Sequence, residues 1–522
     1  MTPAEALKKI KQNMKREWKL AFFSVLICGL LVHFKVFAGD FPNHDGLSSM
    51  YFDQNMITSG RWFLMIACGI SSYFTLPWLI GIFSLIFLGI GCAALIDFLE
   101  IKDDISVVLI SCMLVVFPAL ASTYAYIFTA DGYMMALGLV FLAVAFTGKR
   151  KWGFLPGAVC LAFSMGTYQS YLAFAILLSI YGCIMILMTN QSFREKLSQM
   201  LHYLYMGILG VGLYYLLLQV LLKIQGKVLD TYQGINTMAS AGGRSVVGML
   251  SQIYRDFLAF TVRGNVLYNN MLSFLAVVLL GLVFIVLFVR LAIQRGYWKK
   301  WYFYVIFLLV LLFIPIAANM ILIISPEVTY HLLMRYQWAL LPILLYAFCV
   351  RYGFLQTEIM GIKKNRGIVT LQWLACLSML VLVIHYGVID NIAYFNLEKK
   401  YEKTYAYCLR LVDRMEQTEG YYTGIPVAMV GVQGSDVMPE TDITGDVTSN
   451  MIGMTGDYLV YTDANYQAFL KNYLGVTINL VPDEEMERIY HTEEYRALNS
   501  FPGEGSMKVV DGVLYIKTEN YE

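Results

Sequence analysis

The stretch FPNHDGLSSMYFDQNMITSGRWF, residues 41–63, sets His44 beside Asp45, adds a second acid at Asp53 and carries Arg61. A carboxylate at such a place can take a proton from a hydroxyl within hydrogen-bond reach, and a guanidinium can hold an anion or stack on an aromatic ring. The bland alternative is a solvated loop acid. Two features weigh against it. The stretch also contains Met50, Tyr51, Phe52, Met56, Ile57, Trp62 and Phe63, apolar enough to lie as a helix along a membrane interface. Asp45, Ser49 and Asp53 follow one another at i, i+4 and i+8, so in such a helix they share a face.

Three other polar clusters interrupt apolar sequence. YAYIFTADGYMMALG, residues 124–138, sets Asp131 among Tyr124, Tyr126 and Tyr133. This acid is either a group at a helix N-terminus, favoured by the dipole, or part of a cavity whose tyrosines stack on a sugar or donate hydrogen bonds to it. SMGTYQSYLAF, residues 164–174, places Tyr168, Gln169 and Ser170 between two apolar runs, as a plain turn or as another wall of that cavity. SPEVTYHLLMRYQWALLP, residues 325–342, puts Arg335 at the start of an apolar run, with His331 one helical turn earlier. An arginine there either snorkels to lipid headgroups or clamps a phosphate bidentately. Arg244, Arg255 and Arg263 are weaker candidates of the same kind.

The elements that must position these groups are membrane spans. The 522-residue chain is 58% hydrophobic and 14% charged, with a mean hydropathy of +0.60; soluble domains carry roughly 25% charged residues. Apolar runs of span length fall at about 20–38, 77–98, 105–122, 132–148, 153–167, 171–189, 201–223, 270–290, 302–324, 336–351 and 368–389. The fold class is therefore a polytopic α-helical membrane protein of about eleven spans. Its short loops divide by charge. One set holds Lys149, Arg150 and Lys151; Arg194 and Lys196; Arg290, Arg295, Lys299 and Lys300; and Arg351, Lys363, Lys364 and Arg366. The loops at 123–131 and 168–170 hold neither Lys nor Arg. The positive-inside rule then predicts a cytoplasmic N-terminus, an outer location for all four polar clusters, and an outer C-terminal tail.

Residues 1–19 read as a cytoplasmic amphipathic helix rather than a cleavable signal. Segments 39–76 and 224–269 are outer loops longer than connection requires. From 391 to 522 the composition becomes that of a small extracytoplasmic α/β domain. It begins with an amphipathic helix over 393–418 and continues with a buried strand over 425–432. A helix over 463–475 follows, with Asp463 as N-cap and Gly475 as stop, and then a hairpin turning at Asp511-Gly512.

Several classes of function are disfavoured. A net charge of +1 with no basic aromatic patch gives no footprint for nucleic acid. The nine cysteines form no metal spacing. GILGVG, residues 207–212, lies inside a span with no strand before it, and reads as helix packing rather than a nucleotide site.

In this order, NHDGL and SGRW after the first span, TADGYMMALGLVFLAVA, LAFSMGTYQSYLAFAI and MRYQWALLP resemble the GtrII family of bacterial membrane glucosyltransferases, over roughly residues 20–390. The resemblance implies a GT-C fold. It also implies a polyprenyl-phosphate sugar donor, typically undecaprenyl-phosphate glucose, and transfer on the outer face of the bacterial cytoplasmic membrane to a cell-envelope glycan. An acid in the first outer loop serves such enzymes as base, and Asp45 is the matching position. Relatives often carry two adjacent acids there. This chain has His44 in the first place, so no metal ligand is assigned and a divalent metal stays open as a cofactor. On this reading direct displacement inverts the anomeric carbon. Arg335 and His331 bind the donor phosphate, and His44, Asp131, Tyr133, Tyr168, Gln169 and Arg61 surround the sugar. The competing readings are a transporter or flippase of lipid-linked saccharides, which should show repeated halves, and a non-catalytic envelope-assembly protein.

Overall fold

The computed structural model describes residues 2–50, 52–189, 191–237, 245–354, 366–429, 451, 454, 459, 460 and 462–518. Tyr51, Arg244, Lys363, Lys364 and residues 430–432 of the expected strand lie outside the described residues.

Each of the eleven apolar runs forms helix. Among the described residues, eight helices can cross a membrane by length and composition. A ninth span is a pair, α5 (Asp104–Val116) and α6 (Pro118–Tyr124), bent by 47°. Pro118 explains the break, because it lacks the N–H that a continuous helix needs. The remaining two are shorter apolar helices, α8 (Phe154–Thr167) and the apolar part of α13 (Trp301–Ala318). The chain is a polytopic helical membrane protein. Its lateral surface is apolar, with Leu204, Ile208 and Leu216 of α10 (Phe193–Gln225) and Leu308 and Leu309 of α13 exposed.

The core of the bundle is built from α2 (Arg16–Ala38), α4 (Pro77–Leu99), α7 (Ala130–Lys149), α8 and α10. Helices α4 and α7 cross where two glycines meet. A β-carbon on Gly91 would lie 2.6 Å from the Gly138 Cα, so small residues allow the backbones to approach. Of the glycines at 207, 210 and 212, only Gly210 packs, against Leu161, while a side chain at the other two would meet open space.

The end of the bundle where α2 begins carries paired charges. Lys15 and Lys149 both bind Asp97, Arg16 binds Asp104, and Arg351 binds Glu100. The opposite, distal end carries all four polar clusters. There the segment after α2 is not the expected interfacial helix. It forms turns, a bridge between Met56 and Arg61, a 3₁₀ turn over Ile57–Ser59, and only then the short α3 (Leu64–Gly69). Asp45, Ser49 and Asp53 therefore share no helical face. Turn chemistry overrides the apolar spacing: Asn43 Oδ1 accepts from the Gly46 N–H at 2.8 Å, and Gly60 takes a left-handed conformation. The described part of segment 224–269 is also more than a loop. It contains α11 (Val246–Leu258), amphipathic and continued by a π-helical turn to Arg263.

The last span and the predicted tail helix are one element, α16 (Arg366–Glu416). At 1.5 Å per residue its 51 residues reach about 76 Å, well beyond a bilayer core. Its final turns enter the tail domain, where Tyr407, Cys408 and Leu411 pack against a four-stranded sheet of order β2-β1-β4-β3. Strands β1 (Pro426–Met429), β2 (Asn479–Leu480) and β4 (Val513–Ile516) run parallel, and β3 (Met507–Val510) pairs antiparallel with β4. The hairpin turns at Asp511 and Gly512, both with positive φ. Helix α17 (Asp463–Phe469) is capped by Thr462, whose Oγ accepts from the Asn465 N–H, and not by Asp463 as expected. A left-handed Gly475 ends its π-helical continuation.

Candidate functional site

Asp45 stands at the apex of the 43–48 turn, and its side chain is 57% exposed. His44 is more enclosed. Its Nε2 lies 3.4 Å from Asp45 Oδ1, and its ring meets Tyr126 edge-on at 6.4 Å. Burial pushes the His44 imidazole below the usual histidine range; Asp45 opposes that shift and Lys400 adds to it. The imidazole is therefore neutral at pH 7.

Arg61 follows the turn at Gly60. Its Nη1 donates to the Tyr133 hydroxyl at 3.1 Å, and its guanidinium lies over the Tyr168 ring at 5.2 Å. The rings of Tyr133 and Tyr168 stack at 4.3 Å. These three residues, drawn from three separate segments, form one cation–aromatic unit, and Tyr133 is within electrostatic reach of Asp45. Gln169 is used differently from the expectation. Its Nε2 donates to the Ser59 carbonyl at 2.9 Å and to Tyr214, whose hydroxyl in turn holds the Gly60 carbonyl. It thus fixes the turn that aims Arg61. Behind that turn Trp62 lies flat on Gly166, where a β-carbon would come within 2.5 Å of the indole.

Asp131 is in the first turn of α7 and is fully buried. Its Oδ1 accepts from the Gly132 N–H, while Oδ2 has no partner among the described residues. Helix α3 covers it, with Cys68 against Gly132. It therefore does not line a surface shared with the exposed Asp45.

The guanidinium of Arg335 is already engaged. Its two terminal nitrogens each lie 2.7 Å from an oxygen of Asp256 on α11, and Nε donates to the Tyr330 carbonyl. Its Cζ sits 3.7 Å from the Tyr330 ring centre, with Phe260 and Trp338 alongside. Neither the expected snorkelling nor an open phosphate clamp matches this arrangement. The cause is the amphipathic α11, whose buried edge presents a carboxylate. Nor do His331 and Arg335 share a regular helical turn, since Leu332–Ala339 is a 3₁₀ stretch interrupted at Arg335 itself. They remain close: burial first, then the charge of Arg335 and the electrostatic coupling to His44, push His331 below the usual histidine range.

Two residues escaped sequence reasoning. Asp256 had a readable signal, because it is the single acid between Asp230 and Glu327. Lys400 sits among the charges of an ordinary amphipathic helix and had none, yet it is buried and its charge reaches His44. Among the described residues no three His, Cys, Asp or Glu side chains converge to hold a metal ion. The His44–Asp45 pair offers only two donors, which does not fit a protein-built cage.

A neutral imidazole, the Asp45 carboxyl, a stacked guanidinium, the Lys400 ammonium and the Arg335–Asp256 ion pair thus meet at one polar, aromatic-walled end of a membrane bundle. Such a set can hold an anionic, hydroxyl-rich ligand and accept a proton from it. The family model described as glucosyl transferase GtrII matches residues 34–350. That range holds all four polar clusters and ends before α16. Neither the curated proteins nor the solved structures include a match to this chain.

Proposed function

The chain belongs to the GtrII glucosyltransferase family, and from that premise we propose that it transfers glucose from a polyprenyl phosphate to a cell-envelope glycan, with inversion at the anomeric carbon. The acceptor hydroxyl oxygen attacks that carbon, Asp45 takes the hydroxyl proton, and the bond to the phosphate oxygen breaks to release the polyprenyl phosphate. His331 hydrogen-bonds the departing phosphate, the charge of Lys400 stabilises it as its own charge grows, and Arg335 adds its charge by exchanging Asp256 for the phosphate. Arg61, Tyr133 and Tyr168 bind the sugar, and His44 orients Asp45. Asp131 and Gln169 act from behind by holding the segments that carry these groups.

In this reading the distal end faces outward, the N-terminus is cytoplasmic and the tail domain lies outside. What supports the orientation is charge. Lys15, Arg16, Lys149 and Arg351 gather at the end where α2 begins, as the positive-inside rule expects of a cytoplasmic face. A lipid-borne donor suits a site reached from the side of a bundle with an apolar surface.

The observation that carries the reading is the exposed Asp45 carboxylate, held next to a neutral His44 and within reach of Tyr133. The test is transfer by the purified chain from polyprenyl-phosphate glucose to a candidate glycan, wild type against Asp45→Asn. We expect the variant to lose about 10² to 10⁴ in kcat while eluting and melting like wild type. Undiminished transfer would remove Asp45 from the role of base.

A further inference from the structure

The family match ends at residue 350, and the tail domain lies beyond it. The tail nevertheless grips the segment that carries Asp45. On one side of the turn, the Phe41 ring packs on Tyr401 of α16 at 5.8 Å, Tyr401 meets Tyr473 edge-on at 5.6 Å, and the Tyr473 hydroxyl lies beside the Asp40 carboxyl. On the other side, Asn472 Nδ2 donates to the Leu47 carbonyl at 2.9 Å. The Leu47 side chain is 1% exposed and buried with Tyr407, Leu411 and Phe469. Among the described residues it is the one buried member of that tail core that comes from outside the tail. Between these two anchors the buried Asn43 closes its own turn onto Gly46, leaving His44 and Asp45 at the apex.

We infer that the tail domain is a positioning clamp for the proposed base: Asn472, Tyr473 and the pocket for Leu47 fix the 40–47 segment and thereby set where Asp45 meets the acceptor. This rests on the reading of Asp45 given above. Asn472 and Tyr473 are positioning residues and need not touch substrate. A short turn anchored only through α2 would be free to fray. Two anchors seven residues apart remove that freedom at the cost of tying the reaction to a domain outside the family match.

The test uses the full chain with Asn472→Leu and Tyr473→Phe combined. Tyr490→Phe is the control, removing a tail-internal hydrogen bond to the Met429 carbonyl without touching the clamp. Two quantities are read: amide hydrogen exchange over residues 40–50, and the kcat and donor KM of transfer. The clamp variant should exchange about tenfold faster over 40–50. Its kcat should fall about tenfold to a hundredfold with donor KM little changed, since orientation and not donor binding is lost. The control should match wild type in both. Unchanged exchange over 40–50, or equal losses in clamp variant and control, overturns the clamp. Faster exchange with unchanged kcat also overturns it if Asp45→Asn is inactive. If Asp45→Asn is itself fully active, the base reading has failed instead, and the exchange data alone judge the grip.

Discussion

The Arg335–Asp256 pair allows the sharpest test, because it separates a structural demand from a functional one. The Arg335 side chain is 10% exposed and that of Asp256 24%. The contact is bidentate at 2.7 Å through both terminal nitrogens. Charge centres about 4 Å apart attract by about 4 kcal/mol at an effective dielectric of 20. Removing one partner of such a pair costs about 3–5 kcal/mol, because the other charge stays buried and uncompensated. Asp256→Ala should therefore destabilise the protein by about that amount, with the stacking of Arg335 on Tyr330 returning only a fraction, ~1 kcal/mol. The double variant Arg335→Met with Asp256→Leu removes both charges and keeps the volume filled. It should return to near wild-type stability, since apolar replacements of buried pairs are often neutral or better. Denaturant titration of the detergent-solubilised chain, followed by tryptophan fluorescence, measures all three proteins. A double variant as unstable as Asp256→Ala, or an Asp256→Ala as stable as wild type, refutes the pairing argument.

The same double variant then tests function. With stability restored, transfer should still fall, because the Arg335 charge beside His331 is gone while the fold is intact. Full recovery of both stability and transfer would make Arg335 a packing residue only and would leave the phosphate to His331 and Lys400.

Two further outcomes follow from the structure. His44 and His331 bind protons less readily in the folded chain than histidines near 6.5 do when unfolded. Below pH 6.5 the unfolded chain takes up more protons, so stability falls as pH drops from 6.5 toward the folded-state values; His44→Gln with His331→Gln should flatten that slope in melts between pH 7.5 and 5. Gly91→Val pushes a side chain into the Gly138 backbone and should cost about 1–3 kcal/mol, seen as a lowered melting midpoint with unchanged kcat per folded molecule, since the α4–α7 crossing does not touch the site.

What could be read from the sequence follows the range of the forces involved. Each apolar run became a helix because twenty apolar residues in lipid have few alternatives to internal hydrogen bonding. The hairpin at Asp511-Gly512 was readable because its turn demands positive φ at both positions. The 41–63 segment misled because its apolar spacing argued for a helix while Pro42, Asn43, Gly46 and Gly60 argued for turns, and the local hydrogen bond from Gly46 to Asn43 decided the matter. The partner of Arg335 lay 79 residues away on an element read as loop, and Lys400 lay more than 350 residues from the histidine it influences. Contacts of that separation leave no periodicity to read. The four motifs nevertheless fall together at one end of the bundle, because polar groups in a membrane protein have few places to go. Which of them would face one another depended on the tail domain, and the sequence offered no hint that Leu47 would belong to its core.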